Sequence, residues 1–318
     1  MEDEKENEIY DRQIRLWGLE AQKRMRSSKV FFAGINALSL EVCKNLVLAG
    51  VSVTLQDSRT VTAEDTASHF LFSEQDIGKT RAAAAAAGLR ELNGLVAVAV
   101  AAEGAEGPEG LQGHQVVCVA GAPRREQLRV NALCRRLGAK FYAGAAAGFD
   151  GWLFADLGDA HEYQEEAPPG AAAPGAVRAL AHCPLADALA GPWGALADRF
   201  GPPPKALVAA LVLQEFEEVH GELQDNVSDT QLDELKSFVQ QKLQENGMAT
   251  DFFTEEELRG LARAAAVELA PTAAVLGGVW GQEVLKAISA KGEPMDNTFV
   301  LTGLEGEGKV LRLPGKKR

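Results

Sequence analysis

The side chains able to do chemistry in this chain are few, and their spacing excludes more than it supports. The four cysteines, Cys43, Cys118, Cys134 and Cys183, include no C-x-x-C pair. Neither a zinc site nor a disulfide framework is therefore expected, and a reducing compartment is the default. Cys183 lies in HCPL, before a proline and with no evident base, which favours a structural thiol over a thioester nucleophile. His69, His114, His161, His182 and His220 show no metal-ligand spacing and read as surface or core residues. The informative segment is Gly34-Ile35-Asn36-Ala37-Leu38-Ser39. It follows a short apolar strand at 29–33 (KVFFA) and opens a helical pattern, which is where an α/β protein places a phosphate loop. Such a loop needs glycines so that backbone N–H groups can approach the phosphate. Only Gly34 remains, and side chains on Asn36, Ala37 and Ser39 crowd that space. The architecture of a nucleotide site is present without its chemistry, or the fold never bound a nucleotide.

The elements that must position this turn alternate between strand and helix, the pattern of a mostly parallel sheet covered on both faces. Leu38, Val42, Leu46 and Ala49 recur at helical spacing before Gly50, and VSVTL at 51–55 is the next strand, ending at Asp57. An alanine-rich helix at 79–93, strands at 96–100, 116–119 and 140–143, and a helix over Arg124–Leu137 complete the first half. Eight of the 13 prolines fall between Pro168 and Pro204, marking a loosely connected insertion. A helical region at 204–263 follows, broken near 220–227 and 246–251. The chain then returns to a helix from Pro271 to Ile288 and strands at 298–302 and 309–313. The expected divisions are an N-terminal helix (1–27), a Rossmann-like core (28–158), a proline-rich linker with helical insertion (159–263) and the C-terminal part of the core (264–318).

Over 318 residues, 46% hydrophobic and 24% charged residues exclude disorder throughout. No apolar run reaches the roughly 20 residues of a spanning helix. MEDEKENE, with five acids and one lysine, does not resemble a targeting peptide. A net charge of −13 argues against nonspecific binding to nucleic acid or to an acidic membrane.

The segment 10–18 (YDRQIRLWG) resembles the N-terminal helix of the enzymes that activate ubiquitin-like modifiers. Its continuation LEAQK is similar to the regulatory, non-thioester subunits of the heterodimeric SUMO-activating enzymes. Similarity resumes at CKNLVLAGV, HFLF, DIGKTRA, GFDGWLFADLG, HCPL and GGVWGQEVLKA, covering nearly the whole chain outside the proline-rich stretch. The resemblance implies an α/β fold with a Rossmann-like, adenylation-type (ThiF/MoeB-like) core and a helical inserted half-domain. It places the degenerate nucleotide positions at Gly34, Asp57 (ribose), Ser68 (in place of a phosphate-binding arginine), Arg81 (in place of a lysine) and Ala122 (in place of a magnesium aspartate). Alanine cannot coordinate a metal, so no metal and no functional cofactor site are expected on this subunit. ATP and magnesium are then bound by the partner, the catalytic subunit, which also carries the thioester cysteine and acts on SUMO.

One catalytic group is expected to be lent outward. By the resemblance Arg12 reaches the partner's ATP as an arginine finger, a planar and permanently charged fork supplied in trans, with Arg15 sharing the role or solvating that face. The competing reading pairs Arg12 with Asp11 or Glu8. Nuclear and cytoplasmic localisation is expected, and Lys316-Lys317-Arg318 is a short basic tail that either assists import or is merely solvated. The alternatives are the equivalent subunit of the NEDD8-activating enzyme, disfavoured by GLEAQKRMR and the short insertion, and a self-sufficient homodimeric sulfur-carrier adenylyltransferase, disfavoured by Ser68 and Ala122. A Rossmann oxidoreductase is disfavoured by the missing glycines.

Overall fold

Strands buried on both faces read as unbroken apolar runs, and VVCVA at Val116–Ala120 is buried at every position. The computed structural model describes residues 9–105, 107–166, 175–197, 201–221, 223 and 227–313. Parts of the proline-rich stretch, the first eight residues and the basic tail lie outside these described residues. Within the described residues the N-terminal arm holds two short helices, α1 (Asp11–Trp17) and α2 (Leu19–Ser27), separated at Gly18, where a single N-terminal helix is expected from the sequence. β1 (Lys29–Ala33), α3 (Ala37–Leu48), β2 (Ser52–Gln56), α4 (Ala63–Ser68), α5 (Arg81–Leu92), β3 (Val98–Val100), α6 (Pro108–Leu111), β4 (Val116–Ala120), α7 (Arg124–Leu137) and β5 (Lys140–Ala147) follow.

These five strands are parallel. β6 (Asp150–Asp156), β9 (Thr298–Thr302) and β10 (Glu307–Leu311) extend the sheet in antiparallel fashion, giving the order β10-β9-β6-β5-β4-β1-β2-β3. The insertion is helical in α8 (Leu185–Ala188), α9 (Lys205–His220), α10 (Asp229–Glu245) and α11 (Glu255–Ala264). It also carries a hairpin that a helical insertion does not anticipate, β7 (His161–Gln164) paired with β8 (Val177–Leu180). α12 (Ala270–Ser289) returns the chain to the core.

Strand alternation divides the core into two layers. Val30 and Phe32 of β1 face a cluster built with α3, α5 and α12, while Phe31 and Ala33 face a second cluster with α7, α9, α10 and α11. α12 packs closely on α3 because a Cβ at Gly277 would lie 2.5 Å from the Glu41 Cβ. Gly277, and one turn on Gly281, where a Cβ would stand 3.1 Å from the Asn45 Cβ, therefore set the distance between these helices, and with it the position of the α3 N-terminus.

Candidate functional site

β1 ends at Ala33, and Gly34 turns the chain into α3. Its φ is +86°, and a Cβ there would stand 2.4 Å from the Ala120 carbonyl oxygen at the end of β4, so only glycine passes. Beyond Gly34 the backbone N–H groups of Ile35, Asn36, Ala37 and Ser39 are each bonded to a side chain of this chain. Asn36 caps α3, its Oδ1 accepting the Ser39 N–H at 2.9 Å while Ser39 Oγ accepts the Asn36 N–H at 2.9 Å. The Ile35 N–H donates to Asp57 Oδ2 at 2.7 Å, and the Ala37 N–H donates to Glu268 Oε2 at 2.9 Å.

The charged groups around this crease are also paired with one another. Arg59 grips Asp57 through Nη2 to Oδ2 at 2.7 Å and Nε to Oδ1 at 3.0 Å. Burial pushes the Asp57 carboxyl up, but the Arg59 fork and the Ile35 N–H outweigh it and hold the group below its ordinary value. Arg81 pairs with Asp65 through Nη2 to Oδ1 at 2.8 Å and Nε to Oδ2 at 3.1 Å, and donates to the Ile35 carbonyl at 3.4 Å. Burial pushes the Glu268 carboxyl above its ordinary value, against the pull of the Ala37 N–H, Arg81 and Arg59. Asp57, Asp65 and Glu268 thus face Arg59 and Arg81 across the crease, and both guanidiniums are already engaged by carboxylates of this chain. Ser68 donates its hydroxyl to the Asp65 carbonyl at 3.1 Å and brings no charge. Ala122 offers a methyl group, and its carbonyl accepts from Gln127 Nε2 at 2.7 Å.

The structure thus gathers Gly34, Asp57 and Arg81 at one crease with Ala122 just beyond the end of β4, and adds Arg59, Asp65 and Glu268, to which sequence reasoning assigned no role. A local signal exists for two of these: Arg59 stands two residues after Asp57, and Thr62-x-x-Asp65 is a capping box. Glu268 is 231 residues from its partner Ala37 and gives no local signal.

Arg12 and Arg15 lie elsewhere. Tyr10 anchors the arm, its hydroxyl accepting from Asn93 Nδ2 at 2.8 Å, and Gln13 Nε2 donates to the Leu48 carbonyl at 3.2 Å. Leu48 is the last residue of α3 and the crease surrounds its first, so a helix of 12 residues, roughly 18 Å long, separates them. Arg12 does not reach its own chain's crease. Arg15 is paired with Asp11 at 2.9 Å, whereas Arg12 is exposed and has no ion pair among the described residues; Glu8 lies outside them. No residue of α1 itself is buried, and Ile9 and Leu16 are 63% and 79% exposed beside Arg12.

Burial governs the thiols. Cys43, Cys118 and Cys134 are buried, and burial pushes Cys134 up to about 12. Cys183 is half-buried and is also raised, chiefly by burial. Of the histidines, His69, His161 and His182 are buried, and burial lowers all three. Among the described residues no three His, Cys, Asp or Glu side chains are grouped to hold a metal ion.

A mostly parallel sheet with a strand–turn–helix crease at its centre defines a Rossmann-like, adenylation-type core. Comparison with known proteins agrees: the model of the ThiF family matches residues 10–318, and the chain belongs to that family. Its curated relatives include "SUMO-activating enzyme subunit 1" of Xenopus laevis, 34% identical over 339 residues that cover 98% of this chain and 97% of the relative. The proteins of the same name from Homo sapiens and Dictyostelium discoideum are 33% and 31% identical, each over 96% of this chain and over 95% and 93% of their own lengths.

Proposed function

We propose that this chain is the regulatory, catalytically inactive subunit of a heterodimeric SUMO-activating enzyme. The observation that carries the reading is the crease itself: the amides of Ile35, Asn36, Ala37 and Ser39 are each bonded to a side chain of this same chain. A core of this family with these four amides taken by its own side chains and no metal ligand at Ala122 supports assembly and positioning rather than adenylation. The catalytic partner subunit then holds ATP and magnesium, carries the thioester cysteine and acts on SUMO. The arm of this chain contributes Arg12 in trans, a role supported by its exposure, its lack of an ion pair among the described residues and its distance from its own crease. The complex is expected in the nucleus and cytoplasm.

Calorimetric titration tests the central claim. The lone chain is expected to show no heat with ATP and magnesium at millimolar concentrations, while the heterodimer binds. Micromolar binding to the lone chain, lost in Asp57→Ala, would overturn the reading and favour a self-sufficient adenylating enzyme.

A further inference from the structure

A groove of about 740 Å³ opens between the end of the sheet and the second helix layer. Its floor is the run of alanines closing β5, its walls are α9 and α11, and its lip carries Phe149 and Leu304. Protein interiors are packed to the density of organic crystals, and small residues facing one another from three elements leave this volume unfilled. Ala146, Ala209 and Ala264 are among them. Phe149 is 53% exposed and Leu304 79%, so the apolar surface continues onto the rim.

The charged lining says what kind of occupant fits. Four carboxylates, Asp150, Glu217, Glu257 and Glu305, face two cations, Lys205 and Arg263. Lys205 is taken by Glu257 at 2.5 Å. At the other end Asp150 accepts the Gly303 N–H at 3.2 Å, and neither Asp150 nor Glu305 has a cationic partner among the described residues. Burial pushes the Asp150 carboxyl above its ordinary value, and the nearby charge of Glu305 adds to it. We propose that this groove receives a short segment of a partner protein, apolar along its inserted face and carrying lysine or arginine where it passes Asp150 and Glu305. A second copy of this chain is a poor occupant, because its net charge of −13 repels its own kind.

Fluorescence anisotropy tests the proposal, using the full chain and its complex with the second subunit. The probes are two labelled helical peptides of about 12 residues, both with leucine and phenylalanine at i, i+3, i+4 and i+7, one flanked by lysines and the other by glutamates. The lysine peptide is expected to bind at least about tenfold tighter at low salt, and the preference is expected to shrink toward 1 M salt. Gly260→Trp should abolish binding: nothing lies within 4 Å of a Cβ at Gly260, so the indole stands in the groove without displacing the fold, which circular dichroism checks. Glu305→Lys should reduce or reverse the preference. Equal binding of the two peptides, no binding at millimolar concentration, or unchanged binding by Gly260→Trp would overturn the proposal. Loss of binding on assembly with the second subunit would overturn it as well, by assigning the groove to the subunit interface.

Discussion

Replacing Glu268 separates the two things its carboxylate does in the crease: it supplies an acceptor for the Ala37 N–H, and it brings a buried negative charge. A hydrogen bond to a charged acceptor contributes about 1.5–3 kcal/mol, and a negative group at a helix N-terminus adds about 0.3–1 kcal/mol. Burial works against the charge, as the raised carboxyl shows, and cancels part of that gain. Glu268→Ala, which leaves the Ala37 N–H without its acceptor, should therefore cost about 1–2 kcal/mol, a fall in melting temperature of about 1.5–3 °C for a chain of this size. Glu268→Gln keeps an acceptor oxygen and removes the charge, so at pH 7 it should lie within about 0.5 kcal/mol of wild type or slightly above it. The pH dependence gives an independent sign. A carboxyl raised in the folded state contributes stability that is complete below its unfolded value of 4.5 and is lost as pH rises through the folded value. The stability of Glu268→Gln relative to wild type should therefore grow as pH rises from 4.5. Chemical denaturation of the three proteins between pH 4 and 8 measures all of this. A neutral Glu268→Ala, or a Gln variant as damaged as the Ala variant, would refute the account of the crease.

In the assembled complex, Arg12→Ala should slow pyrophosphate exchange by about ten- to a thousand-fold with the heterodimer intact by size exclusion, and lysine should rescue only in part. Arg15→Ala, which removes only a surface pair with Asp11, should stay within a few-fold; wild-type exchange by Arg12→Ala would remove the finger from the mechanism. Cys183→Ser should leave modifier transfer within a few-fold, and a reductant-sensitive adduct on this chain that the variant abolishes would show the thiol to be reactive. Lys140 donates to the Ala287 carbonyl at the end of α12, and burial lowers its ammonium to about 8. Its folded value lies below the unfolded 10.5, so the cost is fully present at pH 7 and is relieved as pH rises from about 8 to 10.5. Lys140→Met should accordingly be more stable by about 1–3 kcal/mol at pH 7, with the advantage shrinking above pH 8; a constant or absent difference would refute the assignment.

What local spacing encodes was legible in the sequence. Burial on both faces makes VVCVA apolar throughout and KVFFA apolar from Val30 onward, so these two central parallel strands were readable to within a residue or two. The strand–Gly34–helix turn, at the place of a phosphate loop but with a single glycine, was readable from the residues alone, and the resemblance pointed to Asp57, Arg81 and Ala122 around it. The hairpin of β7 and β8 was not legible, because two four-residue strands carry too short a pattern to outweigh the prolines between them. The break of the arm at Gly18 was missed because the sequence on either side remains helical. The closing of the crease divides along the same line. Asn36 with Ser39 and Thr62 with Asp65 are caps three residues apart, set by the helix itself. The bond from Ala37 to Glu268 spans 231 residues and exists only because Gly277 lets α12 lie close on α3, which carries the preceding loop to that helix's N-terminus. Local hydrogen bonds follow from the geometry of one element, whereas a contact between distant segments depends on the packing of every layer between them, and only the tertiary structure decided that a carboxylate of this chain occupies the cradle.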